Sequence, residues 1–368
     1  MGEAEATSAS FRGKAALVAG FVVALLAGDQ LLSRVKLPRI SGSSNQARWK
    51  LELYESLPTA PDVVFLGCSY ELHGISPRVI DAIASDRLGR TVRSVNLSAT
   101  ANSAVSIYVT ARRVLEGSAA PKVAYLTVSR PALNASDYEW LTNGLRALGD
   151  ARDVPLAWRG GRRMLADSVL RAIFTSYHQW KDCRALAERV MTAAAIDPAS
   201  DAREDCQGWA QWSGVELRGD AEYIRQMTDI LSYEPVRFAP GNPNDVAIRR
   251  AIGILRDAGV EVRLIQMPTT TLIPAITRPD VVAAYAQCID RLSADADAEL
   301  VTVPDGVVAE EDFFDAVHLT PLGAKKLSRW LAADVTEALR DADARRVAAH
   351  HPTTDEPRLV RGLGDGAN

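Results

Sequence analysis

Short apolar runs alternate with longer amphipathic ones along most of the chain. Asp62–Gly67 (DVVFLG), Val92–Leu97, Lys122–Val128 (KVAYLTV), Val260–Gln266 (VEVRLIQ) and Leu300–Val303 are compact and rich in β-branched residues. Such runs predict strands covered on both faces, as in a parallel sheet. Between them lie helical patterns. One opens at Ser76-Pro77 and closes at Gly89; others cover Ala104–Leu115, Asp245–Asp257 (closed by Gly259), Val281–Ala294 and Pro321–Leu339. Proline in a first turn and glycine just past a last turn are the expected end signals. Strands alternating with helices predict one α/β domain over residues 61–340, with about five parallel strands and helices on both faces.

Residues 134–240 break this rhythm. Helical patterns at Leu165–Phe174, Cys183–Ala195 and Ala221–Leu231 predict a helical insertion, which also holds Trp140, Trp158, Trp180, Trp209 and Trp212. These rings suit either a glycan-stacking surface or the insertion's own core, since large aromatics serve both purposes. The polar stretch after Asp341 predicts a disordered tail over residues 341–368, with His350-His351 incidental to any site.

At the front, Arg12 and Lys14 precede the apolar run Ala15–Gly28, and Asp29-Gln30 interrupt it before Leu31-Leu32. Ala15–Gly28 makes about 21 Å of helix against a hydrocarbon core of roughly 30 Å, and counting through Leu32 brings it close. The run has no polar stripe at helical period, unlike a half-buried core helix. Leu25-Leu26-Ala27 matches a cleavage site poorly, so residues 15–32 are expected to be an uncleaved signal-anchor. Residues 1–14 would be a cytoplasmic tail, residues 33–60 a linker, and the domain would lie outside the cell membrane. Arg34, Lys36 and Arg39 follow the segment, so the distribution of positive charge does not fix orientation. A cleaved signal peptide would instead give a secreted product.

Charge and cysteine usage narrow the classes. With 42 basic and 46 acidic residues the net charge is −4, which gives no electrostatic basis for a nucleic-acid partner. Cys68, Cys183, Cys206 and Cys288 match no zinc-binding spacing, so no metal is expected. Cys183 and Cys206 are either a disulfide in an exported domain or two unrelated thiols.

Two places could carry chemistry. Gly67-Cys68-Ser69-Tyr70 ends the first predicted strand, and ligands of open α/β sheets bind at the carboxyl ends of strands. Asp315-Ala-Val-His318 lies between the last strand and the last helix, at the same edge. A nucleophilic serine needs a base within hydrogen-bond reach, and that base needs a carboxylate to fix its tautomer. Ser69, His318 and Asp315 supply that set. His73, four residues after Ser69, is a second acid/base, a substrate contact, or a residue that caps or packs in the loop. Asn96 is expected to bond local backbone, and Pro268 to be a turn residue.

With these motifs the sequence resembles the SGNH, or GDSL-type, hydrolase superfamily over about Asp62–Ser129 and Asp245–Leu339. The first block reads G-C-S where the family has G-D-S, and DAVH is followed by LTPLGA, similar to the family's continuation after its D-x-x-H. The resemblance implies a three-layer, flavodoxin-like fold, Ser69 as nucleophile, His318 as base and Asp315 as its orienting carboxylate. A Cys68 nucleophile is the remote alternative. The oxyanion-hole glycine would fall in NLSATAN, where Ala101 and Asn102 stand instead, and the family's third-block asparagine has Asn102, Ser129 or Arg130 as possible substitutes. FLGCSYELHGISP with one amino-terminal apolar segment looks like the membrane-anchored branch, which includes the D-alanyl transfer protein of teichoic-acid modification and the alginate O-acetylation proteins. That implies an extracytoplasmic serine O-acyltransferase or esterase acting on an acylated glycan, without cofactor, often beside a membrane-bound O-acyltransferase. The rival expectations are a catalytically silent scaffold subunit and a free secreted esterase.

Overall fold

The structure is a computed structural model that describes residues 2–33, 43–117, 120–134, 141, 144–145, 147–174, 207–209, 221–230, 234–296 and 298–350. Its centre is a five-stranded, all-parallel sheet in the order β2-β1-β3-β4-β5: β1 Val63–Leu66, β2 Ser94–Asn96, β3 Val123–Thr127, β4 Glu261–Gln266 and β5 Glu299–Thr302. All five strands fall where the short apolar runs place them. Every residue of β1, β2 and β3 is buried. Covering such a Val, Leu or Phe side chain contributes about 1.5–3 kcal/mol each.

Helices cover the sheet on both sides. The helices α1 Gly2–Ser33, α2 Ser43–Glu55, α3 Ser69–Gly74, α4 Pro77–Leu88, α5 Ala104–Leu115 and α6 Arg130–Asn134 come from the first part of the chain. The insertion supplies α7 Val154–Arg159, α8 Arg162–Ile173 and α9 Ala221–Ile230. The rest are α10 Pro243–Asp257, α11 Leu272–Ile276, α12 Pro279–Ala296 and α13 Pro321–His350. α4 packs along α13, and α5 along α10 with α12 beside it. Since β1 pairs with β2 on one side and β3 on the other, successive crossovers diverge there. This doubly wound arrangement opens a crevice beyond the carboxyl end of β1.

Two expectations change. The linker over 33–60 contains α2, whose Ala47, Leu51 and Tyr54 are buried in the core. The buried Lys50 ammonium of α2 donates to the Gly208 carbonyl, tying the helix to the insertion. The tail over 341–368 begins too early: α13 runs on to His350, Ala342 is buried, and Asp343 accepts from Lys122 at 2.7 Å and Arg90 at 3.0 Å. Those partners are remote in sequence, so the local pattern gives no sign of them. The amino-terminal apolar run lies within α1, where Leu17, Phe21 and Val23 are exposed, and no helix among the described residues is long and apolar enough to cross a membrane.

Within the insertion, Trp209 is buried at 4 % exposure and its indole N–H donates to the His73 carbonyl at 3.0 Å, so this ring is core. Trp158 is 71 % exposed. Trp140, Trp180, Trp212, the Cys183–Ala195 pattern, the Cys183/Cys206 pair and His351 lie outside the described residues.

Candidate active site

The chain leaves β1 through Gly67 and Cys68 and enters α3 at Ser69, so the hydroxyl stands at the point where strand becomes helix. A side chain at residue 67 has no room: a Cβ there would lie 2.4 Å from Glu71 Oε2. Glu71 folds back over the glycine, and its Oε2 accepts the Cys68 N–H at 2.9 Å. The Gly67 carbonyl accepts from Ala99 N at 3.2 Å and Asn102 Nδ2 at 3.1 Å, which locks the turn to the loop after β2. Asn96 closes the other end of α3, its Nδ2 donating to the carbonyls of Glu71 at 2.8 Å and Ile75 at 3.0 Å. The local backbone bond expected of Asn96 is made by its Oδ1, which accepts from Ser98 N at 3.0 Å, while the bonds of its Nδ2 reach backbone remote in sequence.

The base stands on a tight hairpin. Phe313 and Leu319 form an antiparallel bridge, and Phe314 N donates to the His318 carbonyl at 2.8 Å. The Thr320 hydroxyl accepts from Gly323 N at 3.1 Å where α13 begins. The tip is clamped from two sides. The Ala316 carbonyl accepts Thr270 Oγ1 at 2.9 Å and Thr270 N at 3.1 Å, while Ala316 N donates to the Tyr223 hydroxyl at 2.9 Å.

These two pieces meet. His318 Nε2 lies 2.8 Å from Ser69 Oγ, and His318 Nδ1 lies 2.7 Å from Asp315 Oδ2. The second carboxylate oxygen, Oδ1, accepts from Val317 N at 2.8 Å and His318 N at 2.7 Å. With Nδ1–H donating to the carboxylate, Nε2 is left as the acceptor for the Ser69 hydroxyl. Burial would raise the Asp315 carboxyl, but the hydrogen bond and charge of His318 overcome it and hold the group below its ordinary value.

The remaining predicted residues divide. Ala101 stands in the loop beside the elbow with φ +55°, the left-handed backbone that costs an L-residue roughly 1–2 kcal/mol and glycine little. Asn102 is buried and braces the Gly67 carbonyl, so it acts on the elbow. The Ser129 hydroxyl lies 3.4 Å from Cys68 Sγ, behind the nucleophile. Cys68 is buried with its Sγ turned to Ser129, and burial pushes its thiol well above its ordinary value, both of which disfavour the Cys68 alternative. The His73 ring packs edge-on to His318 with centroids 5.3 Å apart. Arg130 lies further along the same edge and faces a cleft that Tyr70, Gln266, Thr269 and Tyr285 also line. Tyr70, which lines this cleft, also meets His318 edge-on with centroids 5.8 Å apart.

Sequence reasoning missed Glu71, Thr270 and Tyr223. Glu71 had a signal, an acid two residues past the serine in a strand-to-helix turn. Thr270 and Tyr223 act on Ala316 through contacts that no spacing reveals. Burial pushes the Glu71 carboxyl up to about 7, against hydrogen bonds that favour its charged form.

No family model matches this chain, and no curated protein matches it either.

Proposed function

We propose that the chain is an SGNH-type serine enzyme that transfers or hydrolyses an acyl ester on a cell-envelope glycan. The observation that carries this is the unbroken hydrogen-bonded series Ser69–His318–Asp315 at the carboxyl edge of the sheet. In the proposed reaction, Ser69 Oγ attacks the acyl carbonyl as His318 Nε2 accepts its proton. The imidazolium, stabilised by Asp315, returns that proton to the departing alkoxide, leaving the acyl group on Ser69. A sugar hydroxyl or water then gives its proton to Nε2, attacks the acyl carbon and restores the serine. The amides of Ser69 and Ala101 are the proposed oxyanion donors; left-handed backbone at Ala101, where the family has glycine, supports this assignment. No cofactor enters the scheme. The exposed apolar surface of α1 supports a domain held at the outer face of the cell membrane, where a membrane-bound O-acyltransferase would be its partner.

One observation favours a silent scaffold instead. Two donors near the nucleophile are already engaged, Cys68 N–H by Glu71 and Asn102 Nδ2 by the Gly67 carbonyl. A fluorophosphonate probe with intact-mass readout separates the readings. The enzyme predicts one adduct per chain at Ser69, lost in Ser69→Ala and His318→Ala. An unlabelled, folded protein, in solution and in native membranes alike, leaves the scaffold.

A further inference from the structure

Helix α8 of the insertion is inside out. Its inner side carries the buried Met164 and Ser168 and the half-buried Arg171, while Ala166, Val169, Leu170 and Ile173 are exposed. Those four stand at i, i+3, i+4 and i+7, a single stripe along the helix, and a helix covering a soluble core turns such a stripe inward. Apolar residues exposed singly need no explanation, but a contiguous patch marks an interaction surface. The corner leading into α8 adds charge and an aromatic ring. Trp158 is exposed near the end of α7, and Arg159, Arg162 and Arg163 are exposed around the turn at Gly161, where φ is +97°. Between Val154 and Ile173 four arginines stand against one aspartate, in a chain whose net charge is −4.

The neighbouring α1 indicates what covers this face. Every residue of α1 from Ala16 to Ala27 is exposed, and the helix is first buried at Asp29. Arg171, on the inner side of α8, is close enough to Asp29 to feel its charge, and it is fixed there by donating to the carbonyls of Gly149 at 3.0 Å and Ala147 at 3.3 Å. α8 therefore lies where the apolar run of α1 leaves the domain. An apolar stripe bordered by arginines and a tryptophan suits the boundary between lipid headgroups and acyl chains. There the aliphatic side chains enter the acyl region, the indole sits at headgroup level and the guanidiniums meet lipid phosphates.

We infer that the α7–α8 corner is a second membrane contact, an interfacial surface that binds anionic lipid beside α1. The inference rests on the proposed placement of the domain at a membrane through α1, and it is separable from that placement because the two helices can be altered independently. It does not depend on acyl transfer.

The full chain is mixed with vesicles of phosphatidylcholine alone and of phosphatidylcholine with phosphatidylglycerol. Partition is read by sedimentation. Bilayer contact is read by quenching of Trp158 with lipids brominated on the acyl chain, taken as the difference between each protein and its Trp158→Phe version. Three double variants are compared: Leu170→Glu with Ile173→Glu on α8, Arg159→Gln with Arg162→Gln at the turn, and Leu17→Glu with Phe21→Glu on α1. All six positions are exposed, and an unchanged melting temperature shows that the variants fold. Phosphatidylglycerol should strengthen binding of the parent. The arginine pair should lose about 25-fold in affinity for those vesicles, from about fivefold for each cation near an anionic surface. The α8 pair should lose about tenfold or more on both vesicle types, and the Trp158 quenching with it. If the α1 pair binds like the parent while the α8 pair does not, the placement of α1 at a membrane fails and the lipid-binding corner stands. The inference is overturned if the parent binds neither vesicle, if the α8 pair or the arginine pair binds like the parent, or if Trp158 is not quenched. It is overturned equally if the α8 pair binds vesicles undiminished but loses a complex with a membrane protein in native membranes, which makes the stripe a protein interface.

Discussion

Ser69 follows an interior strand of the sheet, β1, whereas His318 follows the edge strand β5. All of β1 is buried, while in β5 only Val301 is. The elbow is secured by Glu71, folded over Gly67 and holding the Cys68 amide, and by β2 and the loop after it, through Asn96, Ala99 and Asn102. The hairpin is secured by residues far away, Thr270 after β4 and Tyr223 in the insertion, which grip Ala316 from both sides. A central strand needs little extra restraint because the sheet fixes its end. An edge strand leaves its following loop without that support, so the position of the base depends on clamps from elsewhere. The carboxyls of the two halves reflect the contrast: burial carries Glu71 upward, and the paired His318 carries Asp315 downward.

The largest expected effect lies on the hairpin. Asp315→Asn keeps the shape but donates to His318 Nδ1 where it should accept, favouring the tautomer that cannot take the serine's proton. Loss of labelling rate or turnover of about 10⁴-fold is expected. Fluorophosphonate labelling kinetics check it. A drop below about tenfold would mean that His318 is oriented by the clamped backbone and not by the carboxylate.

The elbow supplies the next effect, through pH. The Glu71 carboxyl sits at about 7 in the fold against an ordinary 4.5. As pH rises, the unfolded chain therefore loses this proton first, and folding stability falls between about 4.5 and 7. Integrated over that window the loss is about 3 kcal/mol. Glu71→Gln removes the titration while its amide oxygen can still accept from Cys68 N, so it should flatten this part of the slope in denaturant titrations from pH 4 to 8. Asp81, pushed up to about 6 by burial, leaves a residual slope of the same sign. Asp315 acts oppositely, and its contribution is lost only in acid below the ordinary carboxylate range.

The same division governs what the sequence made legible. The five strands, Gly89 as the end of α4, and the serine, histidine and aspartate were readable because each depends on residues a few positions away. Gly89 takes φ +62° as a helix-closing glycine should. The α2 helix within the supposed linker was not readable, because its anchor, Lys50, finds its acceptor at Gly208 across the insertion. Tyr223 sits in an ordinary amphipathic helix and gains its role only when α9 reaches the hairpin. His73 was open to several readings at the sequence level, and the ring contact that brings it to His318 joins residues too remote in sequence to have a local signature.

Two glycines sharpen the comparison with smaller effects. A Cβ at residue 67 would meet the Glu71 carboxylate at 2.4 Å, and a Cβ at residue 323 would meet the backbone carbonyl of Asp312, also at 2.4 Å. A side chain can swing away and a buried carbonyl cannot. Gly323→Ala should cost about 1–3 kcal/mol of stability by overpacking, and should slow Ser69 labelling because the hairpin shifts. Gly67→Ala should cost a similar amount, but its loss should shrink when Glu71 is also replaced by alanine. A double-mutant cycle measures this, with coupling of about 0.5–3 kcal/mol expected for the Gly67/Glu71 pair and near zero for Gly323/Glu71.

The smallest effect tests whether the insertion serves the site at all. Tyr223→Phe removes only the hydroxyl that accepts the Ala316 N–H. The ring stays, so folding should lose about 0.5–1.5 kcal/mol, the usual net worth of one hydrogen bond. If the clamp positions the base, labelling of Ser69 should also slow by about threefold to tenfold, a barrier increase of roughly 0.7–1.4 kcal/mol. Thr270→Val, which cuts the hydroxyl bond on the opposite side of Ala316, should do the same. The two together should slow labelling more than either alone, since each side-chain bond holds the same residue, Ala316, through a different peptide. A Tyr223→Phe protein that melts earlier yet labels at the parental rate would confine the insertion to stability, and would leave the hairpin held by Thr270 and its own bridge.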